Sequence, residues 1–401
     1  MTKAGKYIPP LNEKWLNATV ERVENSKAGR PVDRVGFSPR MIGFGGGVIT
    51  FERGIHNYGE FYRNPTLAME GSLFGEQMLD MDIYSLWRWA NFLEACLGTE
   101  VEIRDSGQVI PTVTPFNEVE DVENFEVPSE QKMRKNWEVV GELEAMAAVE
   151  RLTDNKYKHT VYNYDPTQCS GVSCKTADLF FYWVAGQPDI AKQLIKKTSQ
   201  TWMRFTDIVT TDFPDVENRD CWMASVMSSN DILSPDQWME FYYPYAIDMQ
   251  AEYLSKKGLK KINFHPCGAH WPNEKAGHWK TLFSRLKKLF PTWRAVFGWP
   301  TRWKLWDIDP AANVRKYPDV CWWGPLDVHE YMVPTPKEVY EITKKYILEC
   351  GNAPGGYMVG TACETGPAVS EANLSAVVQA CKDWGKRDKN GELIAKEAKP
   401  P

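Results

Sequence analysis

The chain has no apolar run approaching the roughly 18–20 residues needed to cross a bilayer. Its first residues, Met1 to Tyr7, lack the apolar core of a secretory signal. No membrane association is therefore expected, and a cytoplasmic location is. Positive charge is not in excess either. The net charge is −6 over 401 residues, and no basic stripe with interleaved aromatics occurs, which argues against nucleic acid as a partner. The nine cysteines are an odd number without framework spacing, so reduced thiols are expected rather than a disulfide scaffold. A nucleotide-binding turn is missing as well. Gly43-Phe44-Gly45-Gly46-Gly47 has neither the Gly-Lys-Ser/Thr ending of a P-loop nor dinucleotide-fold spacing. Its expected role is a loop at a barrel mouth, with Gly45, Gly46 and Gly47 hugging a large planar cofactor or moving as a lid.

What is present reads as an ordinary soluble globular chain, 43% hydrophobic and 25% charged. Helix starts are well marked. Asn64-Pro65, Ser234-Pro235-Asp236-Gln237 and Thr335-Pro336-Lys337-Glu338 each set a capping residue before a proline, and the last two complete a capping box. Between the helices lie strand-length apolar segments such as Lys261–Phe264, Val320–Trp323 and Tyr357–Val359. Helices alternating with short strands predict an α/β fold, a single (β/α)8 TIM-type barrel. Residues 1–60 are expected as an irregular N-terminal cap, 61–386 as the barrel, and 387–401 as a flexible tail. Asp80 and Asp82 read as a solvated helix face. Eight of the 17 tryptophans (Trp271, Trp279, Trp293, Trp299, Trp303, Trp306, Trp322 and Trp323) crowd one stretch. An insertion near 271–306 is expected there, serving as an aromatic wall, a docking surface or a small core of its own.

Two segments carry chemistry. His265-Pro266-Cys267-Gly268 and Gly360-Thr361-Ala362-Cys363-Glu364 both follow apolar runs, so both fall at strand ends, where α/β enzymes place their sites. Imidazole and thiolate are ligands that zinc prefers, and three protein ligands leave a fourth position open, as in catalytic zinc. His265, Cys267 and Cys363 are the candidate metal ligands; a core cysteine beside a hydrogen-bonded histidine is the alternative. His270 can serve as a competing ligand, a general acid or a loop bystander, and His278 as a ligand or supporting group. Glu364 is a candidate to orient a ligand, while Asp231 and Asp327 are placed in the pocket for polar contacts.

Taken in order, several segments resemble the uroporphyrinogen decarboxylase superfamily, and within it the zinc-dependent corrinoid methyltransferases. The pieces are Asn64-Pro65-Thr66-Leu67-Ala68 with Leu73 and Asp80, then Glu94 to Val101, then Ser229 to Pro235 with Phe241 and Pro244-Tyr245. They continue with His265-Pro266-Cys267-Gly268, Trp323 to Asp327, and Gly355 to Gly360 leading to Cys363-Glu364 and Asn373-Leu374. The resemblance implies a TIM-type barrel and a zinc site of His265, Cys267 and Cys363. It also implies methyl transfer between a corrinoid (methylcobalamin) on a partner protein and a small substrate, either a thiol acceptor or a methylated donor. A homodimer is compatible with the sequence. The paired-arginine segment of the decarboxylases is not kept, since Phe37-Ser38-Pro39-Arg40-Met41-Ile42-Gly43 holds one arginine. Two alternatives stay open: thiol alkyl transfer by epoxide opening without a corrinoid, and metal-free decarboxylation.

Overall fold

Asn12 starts the first helix, α1 (Glu13–Ala28), by accepting the Trp15 backbone N–H, and Gly29 ends it at φ 65°. Leu16, Thr19, Val23 and Ser26 recur at helical spacing and are buried. The computed structural model describes residues 10–40, 58–84, 93–106, 109–292, 295–300, 304, 308–366 and 368–395. After α1 come α2 (Pro65–Met78), an antiparallel hairpin of β1 (Glu100–Ile103) and β2 (Val109–Val113), and α3 (Trp137–Leu152). Then follow β3 (Val161–Asn163), α4 (Pro188–Asp212), β4 (Asp220–Ser225), β5 (Lys261–Pro266), α5 (His278–Leu289), β6 (Ala295–Gly298), β7 (Val320–Trp323), α6 (Pro336–Cys350), β8 (Tyr357–Met358) and α7 (Glu371–Trp384).

Strands β3 to β8 form one parallel sheet in chain order. Residues 35–38 extend it past β8: Phe37 bridges Val359 in parallel, and the Val359 N–H donates to the Gly36 carbonyl at 2.9 Å. The Asp82 N–H donates in turn to the Phe37 carbonyl at 2.7 Å, which brings residues 81–84 alongside. Eight strand positions therefore follow one another with helices between them, and the architecture is a (β/α)8 TIM-type barrel. Among the described residues no ladder joins 81–84 to β3.

The caps and strands expected at Asn64, Ser234 and Thr335 are all present. The helix from Ser234 is unusual beyond its first turn. It is π-wound over Trp238–Tyr242 and Pro244–Ala251, where Pro244 has no N–H for the α-helical ladder. That winding aims the Trp238 Nε1 at Ser225 Oγ (3.1 Å) and the Tyr242 hydroxyl at the Ala224 carbonyl (2.6 Å), bracing the end of β4.

Four expectations are corrected. The described part of 1–60 is not an irregular cap: α1 is a full helix, and 35–38 is a barrel strand. Helix α1 closes the N-terminal end of the barrel. Its Arg22 pairs with Asp82 and Asp33, and its Lys27 pairs with Asp220 at the start of β4. Asp82 is accordingly buried rather than on a solvated face, because those partners lie far away in sequence. The Trp-rich stretch, in its described part, is the crossover from β5 to β6. Trp271, Trp279, Trp299 and Trp322 are fully buried and pack against one another between sheet and α5. Trp293, Trp303 and Trp306 lie outside the described residues. The tail is docked through Ile394: the Arg387 N–H donates to the Asp33 carbonyl, its guanidinium to the Gly351 and Gly391 carbonyls, and Leu393 is buried.

Candidate metal centre

Side chains alternate along a strand. On β5 this sends Lys261, Asn263 and His265 to the same side, the barrel interior, next to Trp222 of β4 and Tyr162 of β3 in the ladder register. The chain then leaves the sheet, and the Cys267 N–H donates to the Ser225 carbonyl at 2.9 Å. Cys363 arrives from the turn after β8. That turn is fixed by the Ala362 N–H on the Leu326 carbonyl (2.7 Å) and by a Leu326–Thr361 bridge. The ligand atoms of His265, Cys267 and Cys363 all lie within 4.8 Å of one another. Tetrahedral zinc with bonds of about 2.0–2.3 Å places its ligand atoms about 3.8 Å apart, within that bound.

The protonation states suit a metal. The hydrogen bond from Cys267 leads the effects that hold the Cys363 thiol well below its usual range, against burial and with help from His265 and Arg40. Burial, reinforced by the Arg40 charge, lowers His265 to about 4, so the imidazole is neutral and able to ligate.

Arg40 is the residue that sequence reasoning left without a role. Its guanidinium is buried, with Nη2 at 2.9 Å from the Ala362 carbonyl. The same Nη2 lies 3.2 Å from Nδ1 and 3.1 Å from Nε2 of His265. A donor nearly equidistant from both nitrogens of one ring sits over its face, which leaves the in-plane lone pairs for other partners. Trp323 supports the guanidinium at 5.4 Å and is itself fixed by a 2.7 Å bond from its Nε1 to the Ser38 carbonyl.

A cavity of about 70 Å³ opens beside the three ligands, lined by Arg40, Tyr162, Tyr164, Trp222, Val226 and Glu364. Its wall is a ladder of near-parallel rings: Tyr162 on Trp222 at 4.6 Å, Tyr164 on Trp222 at 5.8 Å, and Trp222 on His265 at 5.7 Å. Sequence reasoning missed these rings; the alternation in Tyr162-Asn163-Tyr164 is the signal that could have set two of them on one face.

The other candidates fall differently. Glu364 lines the cavity. His270 does not; it is buried with Nε2 at 2.9 Å from the Cys267 carbonyl and 3.1 Å from the Ser225 carbonyl, so it braces the ligand loop. It is neither an exposed bystander nor placed as a general acid. Asp231 is exposed and accepts the Ala269 N–H at 2.8 Å, holding the same loop from outside. Asp327 caps the short helix Val328–Met332, and His278 stacks on Trp238 at 6.3 Å, away from the cluster. Gly45, Gly46 and Gly47 lie outside the described residues.

Comparison with known proteins adds two findings. A family model described as "Uroporphyrinogen decarboxylase (URO-D)" matches residues 19–384. A solved structure, a methyltransferase from Methanosarcina mazei, is similar with a TM-score of 0.69 at 15% identity, covering 91% of this chain and 98% of that one. At that identity the likeness shows the fold. The search of curated sequences returns no match.

Proposed function

The chain belongs to the uroporphyrinogen decarboxylase family, and from that premise we propose that it is a methyltransferase with a metal site at His265, Cys267 and Cys363. Zinc is the ion that this donor set favours. The reaction proposed is transfer of a methyl group between a corrinoid on a partner protein and a small substrate. The observation that carries the reading is the convergence of one imidazole and two sulfurs, from β5 and from the turn after β8, beside a cavity. The M. mazei methyltransferase of the same fold supports it.

When bound, zinc lowers the pKa of a substrate thiol or polarises an ether oxygen. The protein's own residues do the rest. Trp222, Tyr162 and Tyr164 give the substrate a flat apolar wall and exclude water from one side. His270 and Asp231 fix the loop that carries Cys267, which holds the ligand geometry during turnover. Glu364 supplies a carboxylate at the cavity for a substrate proton or polar group.

The test is zinc content on wild type and Cys363→Ser, both purified without added metal, followed by methyl transfer from methylcobalamin to a panel of thiols. About one zinc per chain, lost from a folded variant together with transfer, is expected. Zinc in neither protein, or transfer that survives its loss, would overturn the reading.

A further inference from the structure

The nine cysteines divide sharply by position. Seven are buried, and only Cys267 and Cys363 are partly exposed. Burial pushes the thiols of Cys96, Cys174 and Cys381 up to about 12 and raises those of Cys169, Cys221 and Cys350 as well. These groups stay protonated and out of reach of solutes, so they are inert. The two exposed cysteines are also neighbours. Their sulfurs lie within 4.8 Å of each other, are joined by a hydrogen bond, and border the same cavity. Cys267 follows the last residue of β5, and Cys363 sits in the turn after β8. Closing the remaining gap therefore falls to two turns rather than to the sheet. Two accessible sulfurs side by side are what reversible thiol oxidation requires, one to be oxidised and one to resolve it.

We propose that Cys267 and Cys363 are a redox modification site, which hydrogen peroxide converts into a disulfide that dismantles the metal centre. The loss of metal rests on the metal-site reading above; the disulfide itself does not. One sulfur, as thiolate, attacks a peroxide oxygen; the O–O bond breaks, hydroxide leaves, and a sulfenic acid remains. The second sulfur attacks the first, the S–S bond forms, and the S–O bond breaks to release a second hydroxide. Overall, two thiols and one hydrogen peroxide give a disulfide and two waters, with two electrons passing from sulfur to the peroxide. An oxidant of two heavy atoms fits the cavity of about 70 Å³ on which both sulfurs open. Once linked, the sulfurs are no longer thiolate ligands, and His265 is left as the sole member of the set. A resolving sulfur this close also halts the chemistry at a stage that a dithiol reverses, short of the irreversible sulfinic acid. Metal occupancy is thereby coupled to the redox state of the surroundings.

The experiment treats full-length wild type, zinc-loaded and metal-free, with about a tenfold excess of hydrogen peroxide. Thiols are counted after denaturation, cross-links are mapped by mass spectrometry, and released zinc is read with a chromogenic chelator. Titratable thiols should fall from nine to seven, with the loss confined to one peptide pair that joins Cys267 to Cys363. The zinc-loaded sample should release about one zinc per chain in step with the link. Dithiothreitol should restore all nine thiols and zinc uptake. Cys267→Ser and Cys363→Ser should each lose the link, and with it the recovery of the remaining sulfur by reductant. Oxidation at the buried cysteines, oxygen added to both sulfurs of wild type without a link, or a pair left unmodified in either sample overturns the proposal. None of these outcomes needs a variant to fold. Failure of the metal reading looks different: the protein would take up no zinc before treatment, while the link would still form.

Discussion

The Trp222 indole stacks against the His265 imidazole, with ring centroids 5.7 Å apart and planes 26° from parallel. The two come from neighbouring strands and lie one alternation apart in the ladder, since Trp222 itself faces Asn263. The candidate metal ligand His265 is thereby held at one ring orientation by a side chain outside the His265, Cys267 and Cys363 cluster. Trp222→Ala should lower zinc affinity by about tenfold, in the range for groups that support a ligand, and Trp222→Phe by much less. Chelator competition on the folded variants measures it.

His270 makes a second test of the same idea from the opposite side of the site. Its ring joins the carbonyls of Cys267 and Ser225, and its Nδ1 faces Asn273 at 3.5 Å. His270→Ala should weaken zinc binding by about 10- to 100-fold. His270→Gln, which keeps a donor, should recover part of it. Unchanged affinity in both would show that the loop holds Cys267 without this bond.

Acid should destabilise the metal-free protein in a defined window. Burial is the main cause that lowers His159, His265 and His270 from an ordinary 6.5 to about 4. The unfolded chain therefore takes up protons on these groups below 6.5 while the folded chain does not. Stability should be flat above about pH 7 and fall as the pH drops from 6.5 towards 4, by roughly 3 kcal/mol per histidine at most. Urea unfolding across that range checks the sign, and His159→Gln should reduce the slope by about one proton.

The buried pair of Lys27 and Asp220 offers a fourth. Lys27 reaches Asp220 from α1, and the Asn263 amide donates to the same carboxylate oxygen at 3.0 Å. Lys27→Met should cost about 3–5 kcal/mol by leaving Asp220 charged and under-compensated. Lys27→Met with Asp220→Asn should recover part of that loss. Urea midpoints of the single and double variants give the coupling.

The features readable from sequence were those with local signatures. Capping boxes placed the helices at Ser234 and Thr335, and the strand-end positions of His265 and Cys363 placed both halves of the cluster. The contents of the pocket wall were harder. Tyr162, Tyr164 and Trp222 are ordinary strand residues until the ladder register sets them side by side. Asp82 was misread for a related reason. Asp80, at φ 54°, breaks the helical pattern just before it, and the cations that make its burial tolerable sit on α1 and in the segment after it. The tryptophans from 271 onward suggested an insertion because aromatic density stands out in a sequence. In the fold Trp271, Trp279, Trp299 and Trp322 fill the space between the sheet and its crossover helix. Pairings between distant segments leave no periodicity to detect.

The plug made by α1 has a kinetic corollary. Arg22 and Lys27 are seated on Asp82 and Asp220 at the N-terminal end of the barrel, opposite the strand ends that carry His265, Cys267 and Cys363. In the proposed function, a small substrate and a bulky methyl carrier would both approach the cluster from the C-terminal strand ends. Turnover in the proposed function is expected to be ordered: the small reactant goes in before the carrier docks, and the product waits for the carrier to leave. An excess of carrier should therefore slow the reaction by trapping whatever lies beneath it.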